Sequence, residues 1–158
     1  MLTVRRARRE DAQAVWQMNR EFNGETGVTL GQIAEGLAQN GCEIVLIVQE
    51  GGETLGFACA RACASVCYPD KAGELTELYV REGVRRRGAG RALVEAAVEE
   101  LRRAGAGEIT VLTGGSNFPA QALYEACGFR PSGEWHFALE GGAPPAAGEN
   151  GRSEIILI

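Results

Sequence analysis

Residues 80–97, VREGVRRRGAGRALVEAA, join the end of a strand-like run to the start of a helix. Upstream, ELTELYV over 74–80 alternates as a strand does. Downstream, Leu93, Ala97, Val98 and Leu101 recur at helical spacing, which predicts a helix over Gly88–Ala104. At the turn between them Gly88 and Gly90 remove side chains from a helix start, where unpaired N–H groups carry partial positive charge. Arg85, Arg86, Arg87 and Arg91 add full charges, a combination suited to a pyrophosphate. It is not a Walker loop, because Gly-Lys-Ser/Thr is absent, nor a Rossmann turn, because Leu93 stands where a third glycine belongs.

Working outward, TVRRA predicts a first strand, Asp11 opens a helix to about Asn19, and 21–27 reads as a polar loop. A second helix starts at Thr29 and stops near Asn40-Gly41. EIVLIVQ and TLGFACARACASVC, joined through Gly51-Gly52, predict a hairpin. EITVLTG predicts a strand and Pro119–Cys127 a helix stopped by Gly128. EWHFALE and SEIILI predict two last strands around a Gly- and Pro-rich loop over 141–152, which either shapes a site or moves freely. The order is β-α-α-β-β-β-α-β-α-β-β. The crossover from Val80 to Ile109 is long enough to return parallel, so the expected fold is α/β (an α+β mixed sheet) with helices on both faces, in a single domain over 1–158.

Composition narrows the function classes. The apolar fraction of 45% suits a soluble domain, and no run approaches the ~20 apolar residues of a membrane helix. MLTVRRARRE has charge without an apolar segment behind it, so it does not read as a signal peptide, and a cytoplasmic location without membrane partners is expected. A net charge of −5 argues against general affinity for nucleic acid. The cluster Arg5, Arg6, Arg8 and Arg9 reads as a solvated face. Five cysteines, an odd number, lack the pairing of a secreted scaffold. Cys59, Cys63 and Cys67 share strand parity but not CxxC spacing, so they read as small core residues rather than metal ligands. His136, in an alternating run, reads as an ordinary strand residue, and no metal is expected.

Two motifs carry a family resemblance. Arg85-Arg86-Arg87-Gly88-Ala89-Gly90 resembles the Arg/Gln-x-x-Gly-x-Gly/Ala signature of the GNAT superfamily of N-acetyltransferases. Asn117, Ala120, Leu123, Tyr124, Gly128 and Phe129 are similar to that superfamily's Asn-x-x-Ala-x-x-Leu-Tyr-x-x-x-Gly-Phe pattern. The likeness is firm over about 74–130, with the flanks matching in element order.

The resemblance implies acetyl-CoA as acetyl donor, a primary amine of a small molecule or peptide as acceptor, and direct transfer in a ternary complex. It implies a bulged strand that splays from its neighbour, so that the backbone of Leu78, Tyr79 and Val80 pairs with the pantetheine arm. Amides from Arg86 to Arg91, including those of Arg87, Gly88, Ala89 and Gly90, then hold the pyrophosphate, with Arg85 nearby and Asn117 a further cofactor contact. Tyr124 resembles the general acid for the departing thiolate, and an N–H near Tyr79 or Val80 resembles the oxyanion donor. Glu77 is the candidate base, set against a solvent-screened carboxylate. Leu112 stands where many relatives carry a glutamate, which leaves Glu74 or solvent as alternatives.

Glu21, Phe22 and Glu25, placed in the first loop, are the candidate acceptor contacts, set against the plain polarity of a surface loop. The terminal run IILI offers a surface for a homodimer or an internal strand. A non-catalytic acyl-CoA-binding or sensor module is the alternative function, and a cysteine-based two-step enzyme is weaker still, because no cysteine has a histidine partner visible in sequence.

Overall fold

A computed structural model describes residues 1–39 and 41–138. Five strands, β1 (Thr3–Arg6), β2 (Glu43–Glu50), β3 (Glu53–Cys63), β4 (Lys71–Val80) and β5 (Ala106–Val111), form one sheet in the order β1-β2-β3-β4-β5. The first four are mutually antiparallel, and β5 runs parallel to β4. That switch follows from the expected crossover, which is α3 (Ala89–Arg103). The mixed sheet predicted from the element order is therefore present.

Helices α1 (Ala12–Asn23) and α2 (Leu30–Ala38) cover one face, where Val15 and Met18 pack with Ile47, Phe57, Cys59 and Tyr79. On the other face α3 and α4 (Phe118–Ala126) bury Leu93, Val94, Leu101 and Tyr124 against Leu46, Ala58, Leu75 and Leu78. The three central strands β2, β3 and β4 thus feed both cores, whereas β1 and β5 pack on the α3/α4 side alone.

Local sequence explains the ends of the elements. Thr29 caps α2, its hydroxyl accepting from the Gln32 N–H at 3.2 Å while the Gln32 side chain accepts from the Thr29 N–H at 2.9 Å. Gly128, at φ +93°, terminates α4 in the left-handed region and lets the Phe129 N–H donate back to the Tyr124 carbonyl at 3.0 Å. The Phe129 ring then meets the Tyr124 ring edge-on, 5.9 Å between centroids. One turn of backbone chemistry therefore fixes the tyrosine.

Several expectations need correction. Helix α1 runs one turn beyond Asn19, so Glu21 and Phe22 are helical and only Glu25 lies in the loop. Phe22 continues the stripe of Val15 and Met18 and packs on the core, which outweighs the polarity of its neighbours. Asp11 does not cap α1 with its side chain; it is 8% exposed and its carboxylate accepts from Arg5 at 2.7 and 2.8 Å and from the Arg8 N–H at 2.7 Å. The N-terminal arginines are accordingly not all solvated, since Arg6 also pairs with Glu100 at 2.5 Å.

Cys59 is buried in β3, but β3 ends at Cys63, which is exposed like Cys67, so the shared parity is not a shared core. EWHFALE forms no strand over its described part: residues 129–138 run outside any strand, and Trp135 and Phe137 are 87% and 88% exposed. Alternation needs a sheet edge to receive it, and among the described residues none pairs with this segment, so His136 is an exposed non-strand residue. SEIILI and the 141–152 loop lie outside the described residues.

Candidate active site

The site begins with a register shift. Cys59 pairs with Glu77 and Ala60 with Leu75, so Thr76 is an extra residue in β4. The bulge resets the alternation, placing Leu75 and Leu78 on the α3/α4 face and Tyr79 on the α1/α2 face. Glu77 shares the face of Tyr79. Pairing with β5 stops at Leu75 opposite Val111, so among the described residues β4 from Thr76 onward has a free edge. At the base of the same pair Gly73 lets the strands close up, since a Cβ there would lie 2.9 Å from the Ala106 Cβ. The strands are close at one end and separated at the other.

Which backbone groups face the gap follows from one hydrogen bond. The Arg81 N–H donates to the Leu55 carbonyl of β3 at 2.9 Å, so alternation turns the amides of Leu78 and Val80 to the free edge and that of Tyr79 towards β3. Of the two residues expected near an oxyanion, Val80 offers its N–H to the gap and Tyr79 does not. Above it, the chain turns through Arg86, at φ +62°, and Gly88, at φ +88°, into α3. The first helical bond there runs from the Ala92 N–H to the Gly88 carbonyl, and among the described residues the amides from Arg86 to Arg91 have no backbone acceptor.

The glycines and arginines of this turn do different things. Gly88 supplies the left-handed conformation. Gly90 also makes room within the protein: a Cβ there would lie 3.3 Å from Leu123 and 3.9 Å from a Val80 methyl. It lets α4 stand beside the open end of β4. Arg85 folds back, its Nε donating to the Val80 carbonyl at 2.8 Å and its guanidinium lying 5.9 Å from the Tyr79 ring centroid. Arg87 pairs with Glu50 at 3.1 Å, and Arg91 reaches the Ala126 carbonyl at 3.2 Å. Arg86 has no ion pair among the described residues.

Tyr124, 3% exposed, lines a cavity of about 770 Å³ with Thr113, Gln121 and Phe129, and its hydroxyl has no hydrogen-bond partner among the described residues. A buried hydroxyl left unpaired is costly, which marks a place where a partner belongs. Burial pushes the phenol well up, and Cys127 adds to it, so it stays protonated at neutral pH. Asn117 is the N-cap of α4, its side-chain oxygen accepting from the Ala120 N–H at 3.3 Å. That task occupies one end of its carboxamide.

On the α1/α2 face, partial burial raises the Glu77 carboxyl above its ordinary value; Asn23 opposes the shift, and the Glu43 charge adds to it. The Tyr79 hydroxyl donates to Glu21 at 3.0 Å, Phe22 stacks on Tyr79 at 5.3 Å, and Arg81 approaches Glu21 at 3.5 Å. Glu21 and Phe22 are thus brought onto Tyr79, on the face that Glu77 shares, whereas Glu25 pairs with Arg20, which lies over Trp16. Sequence spacing could not find Asn23, Arg81 and Glu43, because each reaches this face from a different element.

A mixed sheet opened between two parallel strands, with an amide-lined turn at its mouth, is the architecture of an acyltransferase. The chain belongs to the acetyltransferase (GNAT) family, whose profile matches residues 3–129, and it is a GNAT N-acetyltransferase. An uncharacterized N-acetyltransferase of Chlorobaculum tepidum is 33% identical over 115 residues, covering 73% of this chain and 70% of that protein. The uncharacterized N-acetyltransferase YhfO of Bacillus subtilis is 29% identical over 144 residues, 87% of this chain and 97% of its own. Among solved structures, an aminoglycoside acetyltransferase from an uncultured soil metagenomic sample aligns with a TM-score of 0.75 at 24% identity, over 90% of this chain and 99% of that one. AAC(6')-Iy, in complex with a bisubstrate analog of CoA and acetylneamine, aligns with a TM-score of 0.77 at 18% identity, over 90% and 99%. These two likenesses concern the fold. No described helix is long and apolar enough to cross a membrane.

Proposed function

We propose that the protein transfers the acetyl group of acetyl-CoA directly to a primary amine of a small molecule or peptide, in a ternary complex. The observation that carries this reading is the buried, unpartnered hydroxyl of Tyr124, on a helix packed beside the free edge of β4. The residues fit the donor: Leu78 and Val80 offer backbone groups to a pantetheine amide, and the amides from Arg86 to Arg91 suit a diphosphate, with Arg86 the nearest uncommitted cation. Acetyl-CoA, when bound, supplies a thioester carbonyl open to attack by an amine.

Each step belongs to a residue of this chain. Glu77 accepts a proton from the acceptor ammonium, freeing the nitrogen lone pair. The Val80 N–H donates to the carbonyl oxygen as negative charge develops there. The C–N bond forms, the C–S bond breaks and Tyr124 gives its proton to the leaving sulfur; the nitrogen then loses its second proton, which restores the Tyr124 phenol directly or through solvent. Cys59 is a poor nucleophile, because burial pushes its thiol well up and Glu43 and Glu77 add to the effect, which speaks against a covalent acetyl-cysteine.

The acceptor face carries Glu21, Glu43, Glu74 and Glu77 against Arg61, Arg81 and Arg85, a balance that favours a cationic amine. The aminoglycoside acetyltransferases of similar fold make sisomicin a member of the test panel, with spermidine, lysine and an alanyl peptide. Release of CoA from acetyl-CoA is the readout, and at least one member should respond. Tight acetyl-CoA binding by calorimetry with no CoA release from any amine would replace transfer with a sensor role.

A further inference from the structure

Glu43 and Glu77 occupy the same face of the sheet from two strands that do not touch. Glu43 opens β2 opposite Arg61, and Glu77 in β4 lies opposite Cys59, the next residue of β3 on that face. The two carboxylates therefore flank one small, buried thiol, with about 10–12 Å between their Cα atoms from strand spacing and a two-residue offset. The nearest cation is already committed, because Arg61 pairs with Glu74 at 2.6 Å. Arg81, beyond Tyr79, is held by Glu21. Helix α1 brings Glu21 and the neutral Asn23 towards Glu77, and α2 contributes the apolar Ile33 and Leu37. Glu43 thus makes no ion pair among the described residues, because Arg61 across from it is paired with Glu74.

We propose that Glu43 is a positioning residue for acetyl transfer, its carboxylate acting across Cys59 to make Glu77 a better proton acceptor. The inference rests on the reading of Glu77 as base. A general base works best when its proton affinity is matched to the working pH, and an isolated glutamate is too weak. The bulge at Thr76 is the enabling feature: without it Glu77 would project from the opposite face, away from Glu43. Both carboxyls are displaced upward, Glu43 by desolvation from its neighbours on the sheet with Arg61 opposing, although Glu43 keeps an exposed position at the start of β2.

Two measurements on the full chain test this. Carbon-13 NMR follows the Glu77 carboxyl through a pH titration with acetyl-CoA bound, and kcat/KM is followed with the best amine of the panel. In Glu43→Gln the Glu77 titration should move to lower pH, and kcat/KM on the acid flank, relative to each enzyme's own plateau, should rise about twofold. Glu43→Asp should restore the wild-type profile in part, and acetyl-CoA affinity should not change. An unmoved Glu77 titration in Glu43→Gln overturns the role of Glu43 even if Glu77→Gln abolishes the acid limb. If Glu77→Gln keeps the acid limb, it is the assignment of the base that fails, and this proposal with it.

Discussion

The Tyr79 hydroxyl donates to the Glu21 carboxylate 3.0 Å away, tying the last turn of α1 to β4 across 58 residues of sequence. Phe22 stacks on the same ring, so the α1/α2 face of β4 is braced by one hydrogen bond and one aromatic contact. Tyr79→Phe keeps the stacking and removes only the bond. It should lower stability by about 1 kcal/mol in urea unfolding. It should also raise KM for the amine more than it lowers kcat, because Glu21 then moves while Glu77 and Tyr124 stay in place. An unchanged KM with a collapsed kcat would contradict this division of tasks.

Tyr124→Phe separates chemistry from stability. With no proton to give the departing thiolate, kcat should fall about 100-fold while acetyl-CoA Kd stays within about twofold. The fold should be no weaker, since the hydroxyl is buried without a partner and its loss relieves a desolvation cost. A variant with wild-type turnover would show that the proton comes from elsewhere.

The raised Glu77 carboxyl makes a paired prediction. Because the folded state holds this proton more tightly than the unfolded state, the group favours folding below its unfolded value and that contribution is lost as pH rises through the folded one. Glu77→Gln should therefore melt at a higher temperature than wild type at pH 7, with the gap closing below about pH 4. Activity should move the opposite way, and wild-type kcat/KM should fall as pH drops through a midpoint above the usual glutamate range. Equal melting temperatures at both pH values would sink the assignment of a strained carboxylate.

Asp11 behaves in the reverse sense. Hydrogen bonding from Arg5 holds its carboxyl below the ordinary range, and the Arg8 N–H adds to the effect. Its contribution is present above the unfolded value and is lost as pH falls through the folded one. Asp11→Asn should cost about 2 kcal/mol at neutral pH, because Arg5 loses a charge-assisted, two-point partner. The wild-type advantage should shrink on acidification, and denaturant melts at pH 7 and in acid would reveal the difference.

Much of the fold was legible because its signals are local. The run after Val80 announced strand, turn and helix, and the Leu123-Tyr124 to Gly128-Phe129 spacing announced a helix ended by a left-handed glycine. What misled was equally local. Polar residues around Phe22 hid the last turn of α1, and the alternation of EWHFALE promised a strand where no described edge receives one. The missing side chain of Gly90 also serves packing, since a Cβ there would lie 3.3 Å from Leu123.

The sequence by itself determined the element order from β1 to α4 and the amide-rich turn, since these depend on neighbours within a few residues, while the acid candidate Tyr124 came from the family resemblance. Only the tertiary structure decided which face Glu77 takes, that Val80 and not Tyr79 turns its N–H to the gap, and that Arg85 is spent on β4. Those outcomes hang on the extra residue at Thr76 and on pairings between strands far apart in the chain. A one-residue offset reverses every side chain beyond it, and no local pattern records it.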